Sequence, residues 1–301
     1  MKVSVFIPFC NERDNLSEVI ERVEKGFAGA KVEGELVMVD DGSTDGSGEL
    51  VERLAASRPW IRLLHHRKNM GITQAMRTGF SACTGEIIIF LPADLESHPD
   101  EDIPALLAGF TDGVDVVCGR RLGRWERKVL LSWFYNEVSW ALFGLRLHDM
   151  NWIKAFKREC LADIELRSDW HRFIPQILHA KKWRVVEVPV QWYRRKSGRS
   201  HFGLLRIPIA FFDALVVKFM LTFTRAPMRL FGTFGVLQML VALGIIVWML
   251  YATFLLNDNA FRNRPLLLLA VGMFLSGAIF LFMGFLAELI VSVKDDLTRR
   301  K

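Results

Sequence analysis

The sequence predicts an α/β domain, a mostly parallel sheet with helices on both faces, followed by interfacial helices and a C-terminal two-helix transmembrane hairpin. Short β-branched runs alternate with segments of helical periodicity along the N-terminal part of the chain. Farther on, residues 234–256 and 266–287 carry no charged side chain. A chain of 301 residues that is 51% apolar can build both a soluble core and membrane segments.

Residues 3–7, 36–39, 61–64, 87–91 and 114–117 read as strands buried on both faces, because their apolar residues run on without alternation. Helical periodicity over 15–27, 46–56 and 73–83 supplies the βαβ crossovers that make neighbouring strands parallel. After Gly119 the pattern predicts a long helix over 125–143, a strand over 152–156, a helix near 170–179 and a strand over 183–190. Residues 202–223 are apolar but interrupted by Arg206, Pro208, Asp213 and Lys218, which suits helices lying in a membrane interface.

Each uncharged stretch is about 22 residues, long enough at about 1.5 Å per residue for a hydrocarbon layer of about 30 Å. The expected spans are 234–256 and 266–290. Gly272, Ser276 and Gly277 offer small-residue packing faces within the second. Arg225 and Arg229 precede the first span, and Lys294, Arg299, Arg300 and Lys301 follow the second, which predicts both ends on the cytoplasmic side. Arg262 and Arg264 in the intervening loop reduce that asymmetry without reversing it. At the N-terminus, Met1-Lys2 runs straight into a strand pattern too short for a signal-peptide core, so the first domain is expected to stay where it is made. The domain organisation expected is 1–200 for the α/β domain, 201–230 for juxtamembrane helices and 231–301 for the hairpin with a short basic tail.

Cys10, Cys83, Cys118 and Cys160 show neither a C-x-x-C pair nor metal-ligand spacing, and read as reduced, mostly buried thiols. Net charge is a modest +6, with Arg and Lys concentrated between Arg120 and Arg206. Such a cluster suits phosphates or anionic lipid heads beside a membrane anchor as well as it suits nucleic acid.

Chemistry-bearing residues gather at strand ends, where open α/β sheets bind ligands. The first strand runs into Pro8-Phe9-Cys10-Asn11-Glu12, the second into Asp40-Asp41-Gly42-Ser43-Thr44-Asp45, and the fourth into Pro92-Ala93-Asp94-Leu95-Glu96. Asp-Gly-Ser is also an ordinary turn and helix-cap signature, so Ser43 and Asp45 carry both readings. Asp40 ends a buried run and therefore needs a partner, such as a ribose hydroxyl or a base edge.

In this order and at these distances, Pro8-x-x-Asn11-Glu12, Val39-Asp40-Asp41-Gly42-Ser43 and the third acidic motif resemble the inverting family 2 glycosyltransferases of the GT-A fold. Within that family the chain looks most like polyprenyl-phosphate glycosyltransferases of the dolichyl-phosphate mannose synthase group. The resemblance implies a nucleotide-sugar site at Pro8, Asn11, Glu12, Asp40, Asp41 and Gly42. It also implies a Mg²⁺ or Mn²⁺ ion, a GDP- or UDP-sugar donor, a polyprenyl (dolichyl or undecaprenyl) phosphate acceptor, attachment to membrane lipid with a cytoplasmic catalytic domain, and no nucleic-acid partner. Relatives usually carry Asp-Ala-Asp followed two residues on by Gln, whereas this chain has Pro92-Ala93-Asp94 with Glu96. Asp94 and Glu96 would then be the metal ligands, two apart so that an extended segment turns both the same way. Glu96 also reads as a solvent-facing loop residue.

Arg120 follows a buried strand, and Arg124, Lys128, Ser132 and Asn136 recur at four-residue intervals, forming one polar helical stripe. From periodicity alone, a solvated face would read the same way as a functional one. The resemblance makes Arg120, Lys128 and Ser132 holders of donor or acceptor phosphates, with Lys128 standing where relatives usually have Arg. Arg195 through Gly203 resembles the family's Arg-x-x-Gly-x-Ser-Lys loop, with His201 in place of Lys. That adds Arg195 and His201 as acceptor-phosphate ligands, unless the segment serves only as a basic patch for anionic lipid. The implied catalytic set is Asp94, Arg120, Lys128 and Arg195. Asp149, Lys154, His171 and Arg172 resemble family positions around sugar and acceptor more loosely.

Two rivals remain at this stage. A polysaccharide synthase of the same fold would carry Gln-x-x-Arg-Trp, which Gln191-Trp192-Tyr193-Arg194-Arg195 misses at its last residue. A catalytically impaired nucleotide-sugar-binding membrane scaffold would follow if Pro92 costs the chain its metal.

Overall fold

The structure is a computed structural model that describes residues 1–123, 137, 139–149, 152–164, 166–167, 170–195, 206–223, 227–256 and 264–299. The chain divides into two compact units, Met1–Val217 and Lys218–Lys301.

The first unit is built on a seven-stranded sheet. Its strands are β1 (Lys2–Phe9), β2 (Glu33–Asp40), β3 (Ile61–His65), β4 (Ile87–Phe90), β5 (Val116–Leu122), β6 (Lys154–Lys157) and β7 (Val185–Gln191). Helices α1 (Arg13–Ala30), α2 (Ser47–Ala55) and α3 (Ile72–Ala82) form the expected crossovers, and α5 (Ile174–Ala180) follows a 3₁₀ turn at Trp170–Phe173. Helix α4 (Pro99–Ala108) has no counterpart among the sequence expectations. Pro104 in its middle interrupts the periodicity that would have marked it, while Pro99 and the acidic residues Asp100, Glu101 and Asp102 suit its first turn.

Strand order is β3-β2-β1-β4-β6-β5-β7. The β1–β2, β2–β3, β1–β4 and β5–β7 pairs are parallel, but β6 runs antiparallel to both β4 and β5. The sheet is therefore mixed, because the four residues Lys154-Ala155-Phe156-Lys157 of β6 do not encode its direction. Chain order reverses between β1 and β4, the topological position at which open α/β sheets form a ligand crevice.

Successive strand residues feed opposite layers. Val5, Ile7, Leu36, Met38, Ile87 and Ile89 pack with α1 and α4, whereas Phe6, Val37, Val39, Ile88 and Phe156 pack with Met76 and Phe80 of α3. Phe6 meets Phe80 edge-on with ring centroids 5.2 Å apart. A Cβ at Gly79 would lie 2.1 Å from the Phe6 ring, so only glycine lets α3 sit this close to β1. Burying each such side chain contributes about 1.5–3 kcal/mol, and together these fix the rim where the strands end. Cys83, Cys118 and Cys160 are buried within this unit, and desolvation pushes each thiol up to about 12. Cys10 is half-buried at the rim.

Helix α6 (Arg206–Phe223) occupies the interrupted apolar segment. Helices α7 (Pro227–Leu255) and α8 (Arg264–Arg299) are the hairpin. Pro227–Leu255 and Arg264–Val293 each contain an 18-residue stretch of high mean hydropathy, 2.3 and 2.5, and are long and apolar enough to cross a membrane. Both begin before the uncharged runs do, since the arginines at their N-terminal turns are compatible with helix and with a headgroup layer. The two helices meet through glycine: a Cβ at Gly235 would lie 2.5 Å from the Gly277 carbonyl oxygen, and one at Gly277 would lie 2.7 Å from that of Gly235. Ser276 Oγ donates to Gln238 Oε1 at 3.1 Å. Gly272, expected in the same packing face, has nothing within 4 Å of where its Cβ would stand.

Candidate active site

The ends of β1 and β2 form one knot. Asp41 N–H donates to the Phe9 carbonyl at 2.9 Å, Asn11 N–H to Ser43 Oγ at 3.0 Å, Thr44 N–H to Asn11 Oδ1 at 2.8 Å and Glu12 N–H to Ser47 Oγ at 3.1 Å. Asn11 takes a positive φ of 56°, one that asparagine tolerates well. Gly42 has φ 74°, and a Cβ there would lie 2.4 Å from the Lys68 carbonyl carbon, so both backbone and space demand glycine. Pro8, Asn11, Glu12, Asp40, Asp41 and Gly42 are thus brought to one rim, as the sequence leads one to expect.

The partners of the two aspartates lie within the chain. Asp40 Oδ1 accepts the Ser43 N–H at 2.9 Å, and its Oδ2 lies 3.3 Å from His65 Nδ1. Asp41 is gripped more fully, by His66 and by the N–H groups of Met70 and Gly71. Sequence reasoning did not include His65, His66 or the 69–71 turn. Their signal was nevertheless present, since two histidines directly follow a predicted strand at the same rim. Asp45 accepts from Ser47 N–H at 3.0 Å and Ser47 Oγ–H at 2.5 Å, so it is a helix-start ligand for α2, and these bonds outweigh desolvation to hold its carboxyl below the usual range.

The β4 end supplies the acidic pair. Asp94 Oδ1 accepts the Glu96 N–H at 3.1 Å, and its Oδ2 pairs with the Arg195 guanidinium. Arg195 Nε stands 3.9 Å from Glu96 Oε1, and is itself buried with no hydrogen-bond partner among the described residues. Asp94 and Glu96 do converge, but not through an extended segment: Leu95 between them has φ 58° and is buried, so a left-handed turn brings the carboxylates together. Nor is Glu96 solvent-facing; it is half-buried, and Trp192 Nε1 donates to its Oε2 at 3.4 Å. Burial raises the Glu12 carboxyl, an effect countered by the Asn15 amide 2.7 Å away and by the positive field of Arg195, and reinforced by Asp94. Arg195 is desolvated as well, yet its bond to Asp94 and the fields of Asp94, Glu12 and Glu96 hold its charge more firmly. Glu12, Asp94, Glu96 and Arg195 therefore form one electrostatic cluster.

Arg120 lies on β5, and no ion pair engages it among the described residues. Its neighbour Arg121 forms a two-pronged pair with Asp149 and lies 4.6 Å over the Trp152 ring. Asp149 thus serves as a counter-ion within the fold. Lys154 is fully buried at the start of β6, donates to the His171 carbonyl at 3.3 Å and stands 5.7 Å from the Phe90 ring centroid. Desolvation, only partly offset by Cys118 and Asp149, lowers it to about 8. Burial first, then Lys154 and Arg172, push the His171 imidazole down to about 3, so it is neutral at physiological pH. Arg124, Lys128, Ser132, Asn136 and His201 lie outside the described residues, as does most of the helix expected over 125–143.

Among the described residues no group of three or more His, Cys, Asp or Glu side chains forms a ready-made metal cage. The donor set nevertheless suits a hard divalent cation that takes one or two carboxylates and draws its remaining ligands from substrate phosphate. Asp94 and Glu96 are two such carboxylates, already gathered about one positive charge.

Comparison with known proteins fits this geometry. The family model for "Glycosyl transferase family 2" matches residues 4–158. Dodecaprenyl-phosphate galacturonate synthase of Rhizobium johnstonii is 28% identical, over 98% of this chain and 90% of its own. Undecaprenyl-phosphate 4-deoxy-4-formamido-L-arabinose transferase of Edwardsiella ictaluri is 30% identical, over 99% and 91%. Among solved structures, glucosyl-3-phosphoglycerate synthase from Mycobacterium tuberculosis, in complex with Mn²⁺, uridine diphosphate and phosphoglyceric acid, superposes with a TM-score of 0.57 at 19% identity, covering 72% of this chain and 78% of that one.

Proposed function

The chain belongs to glycosyl transferase family 2, and from that premise we propose that it moves a monosaccharide from a nucleoside-diphosphate sugar to a polyprenyl phosphate, inverting the anomeric carbon. The observation that carries this reading is the acidic pair Asp94 and Glu96 meeting the cation Arg195 at the rim where β1, β2 and β4 end. Two relatives, matched over nearly their whole length, are named for dodecaprenyl- and undecaprenyl-phosphate as sugar acceptors, and this supports the acceptor class. The apolar hairpin supports a membrane location for an enzyme whose acceptor is a lipid. The catalytic domain is on the cytoplasmic side in this reading, following the arginines and lysines flanking the hairpin.

A phosphate oxygen of the acceptor attacks the anomeric carbon as the bond from that carbon to the nucleoside diphosphate breaks. One displacement gives inversion. The attacking phosphate is already anionic near neutral pH, so no strong general base is needed, in keeping with His171 being neutral and tied into the fold. The Pro8–Glu12 and Asp40–Gly42 knot holds the nucleotide end of the donor. Asp94 and Glu96 would hold a Mg²⁺ or Mn²⁺ ion, which when bound supplies positive charge for the departing diphosphate. Arg195 and Arg120 orient the phosphates, and catalysis comes from placement and fixed charge.

The test is transfer by purified protein from a panel of radiolabelled UDP- and GDP-sugars, with and without undecaprenyl phosphate. Label in a lipid-linked monosaccharide, lost in Asp94→Asn, supports the reading. Label in polymer, or donor binding with no transfer under any condition, would refute it.

A further inference from the structure

The segment after β7 is fastened to the acidic loop at three points besides Arg195. Tyr193 N–H donates to the Glu96 carbonyl at 3.1 Å, Trp192 Nε1 reaches the Glu96 carboxylate, and Tyr193 O–H is shared between the Glu101 oxygens at 2.8 and 2.9 Å. The Tyr193 ring also stacks on His98, with centroids 3.5 Å apart and planes at 13°. Two residues beyond this anchorage, the Arg195 guanidinium lies against Asp94 and Glu96, within the field of Glu12.

These are the same two carboxylates proposed above as ligands for a divalent cation. The guanidinium is not fully bonded beside them, since among the described residues its buried Nε has no acceptor, and a buried donor left unbonded is costly. A fixed anchor followed by an incompletely bonded cation is an arrangement suited to exchange.

We propose that Arg195 is the resting counter-ion of the Asp94–Glu96 pair, that guanidinium and divalent cation exclude one another there, and that loading of the metal-bound donor releases Arg195 to take the acceptor phosphate. The inference rests on the donor and acceptor classes proposed above. It gives the reaction an order, donor before acceptor, because the acceptor's cationic ligand is withheld until the donor has arrived.

The test is binding of Mn²⁺ alone to the full-length protein in detergent without nucleotide, read from the electron paramagnetic resonance signal of free Mn²⁺. Arg195→Gln, which removes the charge at similar size, should bind Mn²⁺ about tenfold or more tightly than the unmodified chain, a typical coupling between two sites. Arg195→Lys keeps the charge and should stay within about threefold. Tyr193→Phe, which retains the stack but loses the Glu101 bonds, should tighten binding severalfold and serves as the readout should the glutamine variant not fold. Equal or weaker Mn²⁺ binding in both Arg195→Gln and Tyr193→Phe, or no binding in any protein, would overturn the proposal. Failure of transfer with every donor and acceptor would defeat the functional reading while leaving this binding comparison interpretable.

Discussion

Asp41 Oδ1 lies 2.7 Å from His66 Nδ1 and also accepts the Met70 N–H at 2.9 Å, while its Oδ2 accepts the Gly71 N–H at 2.8 Å. This carboxylate therefore ties the end of β2 to the turn that starts α3. Hydrogen bonds to a charged group are each worth about 1.5–3 kcal/mol. Asp41→Asn points an amide N–H₂ at donors, and is expected to lower the melting temperature and weaken nucleotide binding together, measured by thermal unfolding and calorimetric titration with UDP. Unchanged melting with reduced binding would instead mean that Asp41 contacts the nucleotide and contributes little to the turn.

Asp102 is buried at the start of α4, where Ser97 Oγ–H donates to its Oδ2 at 2.5 Å. Desolvation lifts its carboxyl from 3.8 to about 7 despite that bond. The folded state thus holds a proton that the unfolded chain gives up near pH 4. The stabilisation is present in full below that pH and is lost as pH rises through about 7, at about 1.4 kcal/mol per pH unit. Asp102→Asn should flatten this slope and melt higher than the parent at pH 8; a parallel decline in both proteins would show that Asp102 is not its source.

For Lys154 the sign is opposite. Its ammonium is lowered from 10.5 to about 8 by burial, so the unfolded chain binds the extra proton and stability climbs with pH between those values. Lys154→Met keeps the side chain's volume and removes a charge with one carbonyl acceptor. The expected result is equal or higher melting temperature at pH 7 and no rise between pH 8 and 10, followed by differential scanning fluorimetry in detergent.

In the hairpin, Gly235 and Gly277 press backbone against backbone. Gly277→Val should separate α7 from α8 and disrupt the Ser276–Gln238 hydrogen bond, whereas Gly272→Val, at a position with open space, should be tolerated. Cysteine cross-linking between the two helices, compared across these variants, distinguishes the outcomes.

Much of this molecule was legible in its sequence for identifiable reasons. Uncharged stretches long enough for a bilayer have few other uses, and Asp40 and Asp94 stood out because each follows a run that belongs in a dry sheet. What could not be read was relational. No local pattern links Asp41 to His66, which lies on the next strand end, and nothing in Lys154–Lys157 encodes a strand that runs against its neighbours. Asp94 and Glu96 do meet at one place, but through a left-handed turn at Leu95 and not through the alternation of an extended segment. Arg195 was read as a ligand for an incoming phosphate; that its charge is already claimed by Asp94 depends on a contact across 101 positions.

The reversed strand has a bearing on how such a chain can diversify. Because β6 enters the sheet antiparallel to β5, with Cys118 opposite Lys154, the excursion that leaves the end of β5 comes back to that same end of the sheet. Its length and composition can change without shifting the register of any other strand. New acceptors could thus be accommodated by rewriting one detour, while the half of the sheet that carries the Asp40–Asp41 knot is inherited intact.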